Sequence, residues 1–343
     1  MSIKMLYLSQ EDVIRCGGLS MEAAIDDLEE LFRLYDEGDY ILPGKIVMKS
    51  SEPNAEELTG RINAMPGYVG GKFDMAGIKW IGSGPQNPFK YDLPRASAVI
   101  ILNDPVTKLP VAIMDGTLIS AIRTGAVTGV CAKYLSPSRS RVVGLFGAGA
   151  QSKTQLMAIK ASVPQIEKAY VFDISEARAE SFAKEMTERI GIEVTPSDDR
   201  LFVIQGSDIV VTATTATEPI VHGRDIVKGT YVVHLGDNEV DEELVLKADK
   251  IVIDDWETDK HRMGDTMAYL YRDGKIDDSR INASVADLVV GRHPGRENDD
   301  ELTYTCNVGL GIYDVAIATR IYRYALENGV GQELTLWDTP ALM

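Results

Sequence analysis

Arg141-Val-Val-Gly-Leu-Phe-Gly-Ala-Gly-Ala-Gln-Ser152 decides the fold of this chain. An apolar strand runs straight into a glycine turn and a helix start, the arrangement that binds a dinucleotide. Gly147 permits the tight turn, and Gly149 lets the backbone approach a pyrophosphate closely. The helix opening at Ala150 and Gln151 points its free amides at the phosphate oxygens. Ser152 stands where the third glycine of the fingerprint often sits, and its small side chain still permits close helix–strand packing. The next apolar run, Ala169-Tyr-Val-Phe-Asp173, ends in an acid about 20 residues further on, where a carboxylate accepts both ribose hydroxyls. Asp173 therefore predicts NAD rather than NADP, whose extra phosphate it would repel. The bland alternative is an ordinary strand–helix unit with Asp173 as a helix cap.

At 343 residues, with 45% hydrophobic and 25% charged, the chain has globular composition and length for about two domains. A net charge of -17 disfavours nucleic acid and anionic membranes as partners, because the long-range field repels both. The three cysteines, Cys16, Cys131 and Cys306, are odd in number and far apart. They suit reduced thiols in a cytoplasm better than a disulfide framework. The four histidines show no metal-ligand spacing, so no metal is expected. The start of the chain lacks the apolar core of a signal peptide, and no run approaches the roughly 20 apolar residues of a spanning helix.

Working outward from the glycine turn, the element order divides the chain. Ser20 caps a predicted helix over 21–36 whose Ala24, Ile25, Leu28, Leu31, Phe32 and Tyr35 share one face before Gly38 stops it. Five β-type runs follow without intervening helices: 45–49, 61–65, 76–81, 98–102 and 111–114. Such a series predicts an antiparallel or mixed sheet. A helix rich in small residues over 117–135 leads into the strand before the glycine turn. Beyond it, βαβ alternation through 169–173, 207–212, 231–235 and 250–254 predicts a doubly wound parallel sheet. A last helix, 312–328, returns to the first domain.

An oxidoreductase needs a substrate anchor and an acid or base beside the reacting carbon. Lys45, Arg61, Lys79 and Arg123 are basic residues near strand ends or within apolar runs. Lys79 alternates with Ile78 and Trp80 in an expected buried strand, where an unpaired ammonium would be costly, so an anion should meet it. Arg123 interrupts an otherwise uncharged helix, and its guanidinium suits a carboxylate. The alternative for both is an internal salt bridge with Asp115 or Asp104. Asp237 directly follows the 231–235 strand, at the carboxyl edge where substrates bind, and is the candidate general base. Thr212 and Thr214, in Thr212-Ala-Thr-Thr-Ala216, either wall a nicotinamide ribose or merely form a tight loop.

Arg61-Ile-Asn-Ala-Met-Pro66, Gly77-Ile-Lys-Trp80, Met114-Asp-Gly116, Ile122-Arg-Thr-Gly-Ala126, Gly147-Ala-Gly-Ala-Gln151 and Gly236-Asp237 together resemble the ornithine cyclodeaminase and mu-crystallin family. Their order and spacing cover nearly the whole chain. The resemblance implies an α/β protein: a substrate-binding and dimerisation domain over 1–124 with 320–343, and a central NAD-binding Rossmann domain over 125–319. It implies a homodimer acting on a small amino-acid substrate. Lys79 and Arg123 then bind the substrate α-carboxylate, with Lys45 and Arg61 beside them, and Asp237 handles the amine or activates water. The sequence departs from the family's ornithine pattern at Asn63, a glutamate in ornithine cyclodeaminase, and at Lys45, an arginine there. Gly77-Ile-Lys-Trp-Ile-Gly-Ser83, Ala98-Val-Ile-Ile-Leu-Asn-Asp-Pro105, Asp254-Asp-Trp256 and Pro294-Gly-Arg-Glu297 most resemble a dehydrogenase branch that acts on an N-substituted amino acid. Three readings follow. The first is an NAD-dependent oxidoreductase at an α C–N bond, passing through an imine. The second is a cyclodeaminase that releases ammonia without net NADH, and the third a crystallin-like protein that binds NAD without catalysis.

Overall fold

Ser20 opens the helix Met21–Glu37 by accepting a hydrogen bond from Ala23 N at 3.3 Å, and Gly38, at φ +76°, closes it in the left-handed region. Met21, Ala24, Ile25, Leu28, Leu31 and Phe32 form its buried face. The computed structural model describes residues 2–49, 60–262 and 264–342. It divides into two units, Met1–Arg123 with Leu310–Met343, and Thr124–Gly309. The boundary lies at Leu310 rather than 320 because the helix Gly311–Asn328 belongs as one piece to the first unit.

The first unit is built on a mixed sheet. Its strand order is Gln332–Trp337, Ile3–Leu8, Pro110–Asp115, Ala96–Asn103, Met75–Ser83, Arg61–Val69 and Tyr40–Ile41, with Ile46–Lys49 also on Arg61–Val69. Among the described residues, the pair Ile3–Leu8 with Pro110–Asp115 is the one parallel pair of this sheet. Gln332–Trp337, at one edge of the sheet, and Ile3–Leu8 beside it are near the chain ends and are not among the strands expected from sequence. The helix Gly311–Asn328 covers one face of this sheet at unusually close range. A methyl on Gly67 would stand 2.7 Å from Ile312 Cγ2, and one on Gly77 2.7 Å from Ile101 O and 3.3 Å from Val315 Cγ2. Behind it lies Met21–Glu37, with Phe32 edge-on to Tyr313 at 5.5 Å.

Alternation puts Lys79 on the helix-covered face and Trp80 on the other. The strand is therefore not buried on both sides as expected. Trp80 is 42% exposed, and Ile46, Met48, Ile62 and Val99 are exposed with it, so the second sheet face is open and apolar.

The second unit is a parallel eight-stranded sheet. Its order is Glu193–Pro196, Lys168–Phe172, Val142–Phe146, Ile209–Thr212, Tyr231–His234, Thr303–Cys306, Lys250–Ile253 and Ala283–Ser284. Counting the first five in chain order gives 3-2-1-4-5, the doubly wound order whose reversal lies between Val142–Phe146 and Ile209–Thr212. Every residue of Ile209–Thr212, Tyr231–His234 and Thr303–Cys306 is buried, as a sheet covered on both faces requires. Thr303–Cys306 was illegible in sequence because two of its four residues are threonines. Those hydroxyls are satisfied locally: Thr303 Oγ1 donates to Leu135 O and Thr305 Oγ1 lies 3.0 Å from Tyr231 Oη.

Candidate functional site

The glycine turn stands at the sheet's reversal point. Gly147 has φ +94°, and a methyl there would lie 2.7 Å from Ala213 O on the adjacent loop. Gly149 is the uncapped N-terminal residue of the helix Ala150–Ser162, at φ -98°, and a methyl on it would meet nothing within 4 Å. So Gly147 is required by the protein's own packing, whereas Gly149 borders open space beside the free amides of Ala150 and Gln151. Ser152 is fully buried and its hydroxyl donates back to Gly147 O, closing the turn. Asp173 spans the same turn: Oδ2 accepts from Ala148 N at 2.8 Å and Oδ1 from Ser175 N at 2.9 Å.

Two nearby polar atoms lack any protein hydrogen-bond partner although buried, Gln151 Oε1 and Thr212 Oγ1. A buried polar atom left without a partner is costly and calls for a ligand or water. With the open space at Gly149, these orphans fit a bound dinucleotide. Thr214 differs from Thr212, because its amide and hydroxyl both donate to Glu239 Oε1. Glu239 Oε2 accepts from Gly236 N at 2.6 Å. One fully buried carboxylate thereby ties together the loops after Ile209–Thr212 and Tyr231–His234.

Of the acids following Tyr231–His234, Glu239 is the one drawn inside, and Asp237 stays near the surface. The Asp237 side chain is 46% exposed and pairs with Arg262 Nη2 at 2.7 Å. Asn238, next in sequence, sits at φ +54°, a conformation asparagine tolerates better than most residues. Arg262 also faces Asp265 at 3.7 Å and Asp259 at 4.0 Å. Burial alone would lower its pKa, but Cys306, Asp265, Asp237 and Asp259 together drive it up. Below this pair, scattered residues meet: His234, Asp265 and Cys306 offer ligand-type atoms within 4.8 Å of one another. They are already engaged, with His234 Nδ1 2.7 Å from Tyr304 Oη and Cys306 Sγ donating to Asp265 Oδ2 at 3.1 Å. Burial, then Asp265, pushes the Cys306 thiol well above its ordinary range.

The first unit holds a separate cluster. Lys79 Nζ, fully buried, stands 2.7 Å from Asp314 Oδ2 and donates to Ser120 Oγ at 3.1 Å. Arg123 Nε is 3.6 Å from Asp314 Oδ1 and has no hydrogen-bond partner. Burial lowers the Lys79 pKa to about 8; Arg123 and Lys45 push the same way, and Asp314 opposes them. The anion expected beside Lys79 is thus Asp314, which sequence reading missed. Neither Asp115 nor Asp104 serves: Asp115 caps the helix Thr117–Leu135 through Thr117 N and Leu118 N, and Asp104 accepts from Thr107 N at 2.6 Å.

Lys45 is exposed just ahead of Ile46–Lys49, and Lys79 feels its charge. Arg61 is exposed at the start of its strand and shares the face of Lys79. It lies about 13 Å along the strand from Met65, the register partner of Lys79. Between them Asn63 points to the same face, and its Oδ1 is buried without a partner.

The profile of the ornithine cyclodeaminase/mu-crystallin family matches residues 5–329. N-((2S)-2-amino-2-carboxyethyl)-L-glutamate dehydrogenase of Staphylococcus aureus is 33% identical, over 98% of this chain and 100% of its own length. Among solved structures, Thermococcus litoralis Δ1-pyrroline-2-carboxylate reductase, in complex with NADH and L-proline, superposes with a TM-score of 0.87 at 37% identity, covering 96% of this chain and 99% of that one. An archaeal alanine dehydrogenase dimer with bound NAD gives 0.87 at 34% identity, covering 98% and 100%.

Proposed function

Because this chain belongs to the ornithine cyclodeaminase/mu-crystallin family, we propose that it is an NAD-dependent oxidoreductase acting on the α C–N bond of an amino acid or N-substituted amino acid. The observation that carries this reading is a pair of cations, the buried Lys79 and the largely buried Arg123, both facing the internal acid Asp314. Two cations against one carboxylate leave one positive charge, and a buried net charge calls for a counter-ion. A substrate α-carboxylate supplies it, with Arg123 Nε as the donor still free to bind it. Asn63 Oδ1 accepts from the substrate's amine. Lys45 and Arg61, both exposed, favour a substrate with carboxylates beyond the α-carboxylate, as in the compound that the Staphylococcus aureus dehydrogenase is named for.

NAD, when bound, would supply the hydride acceptor for the α-carbon. Gly147, Gly149, Ala150 and Gln151 would hold its pyrophosphate, Asp173 its ribose, and Thr212 a further polar group, with Thr214 held back by Glu239. Asp237 receives the proton from the amine or from attacking water. Asp173→Ala is expected to weaken NAD binding about 30-fold, the value of two lost charge-assisted hydrogen bonds partly offset by freeing Ala148 N. Titration of NAD against protein fluorescence measures this, and an unchanged Kd removes Asp173 from the site.

The open sheet face around Trp80 is the dimerisation surface in this reading, as a contiguous apolar face on a folded chain marks a subunit contact. Trp80→Asp should convert a dimer to a monomer in light scattering, and a variant that keeps the parent mass places the contact elsewhere. The three buried, free cysteines suit the cytoplasm.

The reaction is tested by mixing protein and NAD with L-alanine, L-proline or N-((2S)-2-amino-2-carboxyethyl)-L-glutamate and following NADH absorbance. Sustained growth with any of them supports the oxidoreductase. Ammonia release from diamino acids without NADH growth moves the chain to the cyclodeaminase side. NAD binding without turnover on a broad panel leaves only a binding protein.

A further inference from the structure

We infer that Asp314 is a positioning residue for carboxylate recognition: it draws Lys79 and Arg123 together from two different elements and cancels one of their two charges, so that the cluster accepts one carboxylate. The inference deepens the oxidoreductase reading and rests on it for the identity of the bound anion. Asp314 itself is completely buried in the first turn of the helix Gly311–Asn328. That helix cannot shift easily, since Gly67 and Gly77 admit it against the sheet with no room for a methyl. The helix N-terminus favours a carboxylate in its first turn.

The geometry separates Asp314 from an ordinary structural counter-ion. Its two oxygens face two cations, Lys79 Nζ at 2.7 Å from the strand Met75–Ser83, a hydrogen-bonding distance, and Arg123 Nε at 3.6 Å from the helix Thr117–Leu135, a contact of charge alone. A saturated internal bridge would hydrogen-bond both cations to the acid, whereas Asp314 engages Lys79 closely and Arg123 only by charge. Here the acid fixes where the cations sit by charge, while the Arg123 Nε–H stays unspent. The groups facing Lys79 are Asp314, Arg123 with Ser120, and the more distant Lys45. Of the charged groups among these, Asp314 favours the ammonium and Arg123 and Lys45 oppose it. Lys79 loses its proton at about pH 8 with Asp314 present, and loses it at lower pH without.

The test is Asp314→Asn, an isosteric change, read in two ways. In turnover with the amino acid found active, KM at about pH 7 should rise roughly 30-fold while kcat changes less, and the alkaline limb of kcat/KM should move down by about one pH unit or more. A residue with only a packing role would lower the folded fraction and leave that limb in place, and an unmoved limb in folded variant overturns the inference. The second reading needs no substrate. The folded-state pKa of Lys79 is lowered, so its ammonium costs stability below that pKa and the cost is relieved as pH rises toward the ordinary lysine value. Asp314→Asn should therefore lower Tm by roughly 3–6 °C at about pH 7 and by much less at about pH 9.5. Lys79→Met combined with Asp314→Asn should restore most of the loss seen at the lower pH, including where the single variant fails to accumulate. An equal Tm deficit at both pH values, or a double variant no better than the single one, overturns the pairing. If the parent protein turns over no amino acid while the Tm pattern holds, the oxidoreductase reading fails and the role of Asp314 at Lys79 and Arg123 stands.

Discussion

Lys79→Met is expected to lower kcat/KM by about 10³-fold while the protein remains folded, because the substitution removes the site's surplus charge without leaving an acid unpaired. With Lys79 gone, Arg123 and Asp314 form a neutral pair, and an incoming α-carboxylate meets no net positive field. The methionine chain follows the path of the lysine stem, so the buried volume changes little. Initial rates of NADH formation across substrate concentration measure the loss, and thermal unfolding checks that the fold survives. A variant with parental KM and kcat would show that Lys79 only packs against the helix Gly311–Asn328. Lys79→Arg should not rescue it, since the fully buried strand position holds a compact ammonium and leaves no room for a planar fork.

Gly147→Ala and Gly149→Ala are expected to fail in opposite ways, although only two positions separate them. An alanine at 147 must adopt φ +94° with its methyl 2.7 Å from the Ala213 carbonyl oxygen. The cost is about 2–4 kcal/mol of stability, from backbone strain and the displaced loop. An alanine at 149 has an ordinary φ of -98° and empty surroundings, so stability should be unchanged. Its methyl instead occupies the approach to the helix amides, and NAD affinity should fall about 100-fold. Denaturant unfolding separates the two variants and NAD titration completes the pair. A stable Gly149→Ala with parental NAD affinity would mean that the pyrophosphate does not lie over this turn.

The same criterion that singled out Lys79, a charge breaking an apolar run, also applies to Asp314 in Gly311-Ile-Tyr-Asp-Val-Ala-Ile-Ala-Thr319. Its signal was present and went unread because its partners, Lys79 and Arg123, lie 235 and 191 positions earlier in the chain. Asp237 shows the opposite case. Its position after a buried strand was legible, but its exposure and its bond to Arg262 were not, since Arg262 arrives from a loop with no periodic pattern. Glu239 lay hidden among neighbouring acids whose composition suggested only a solvated run.

The sequence by itself determined the parallel sheet with its glycine turn, an antiparallel or mixed sheet in the first unit, and Lys79 and Arg123 as cations set in apolar surroundings. Those features are written in local periodicity, turn chemistry and the cost of burying charge, which act within a few residues. Only the tertiary structure decided which acid neutralises Lys79, which carboxylate of the 237–243 run is buried, and which sheet face stays open. Each of those depends on which distant segment packs against the residue, and a contact between remote segments leaves no pattern in the local sequence of either one.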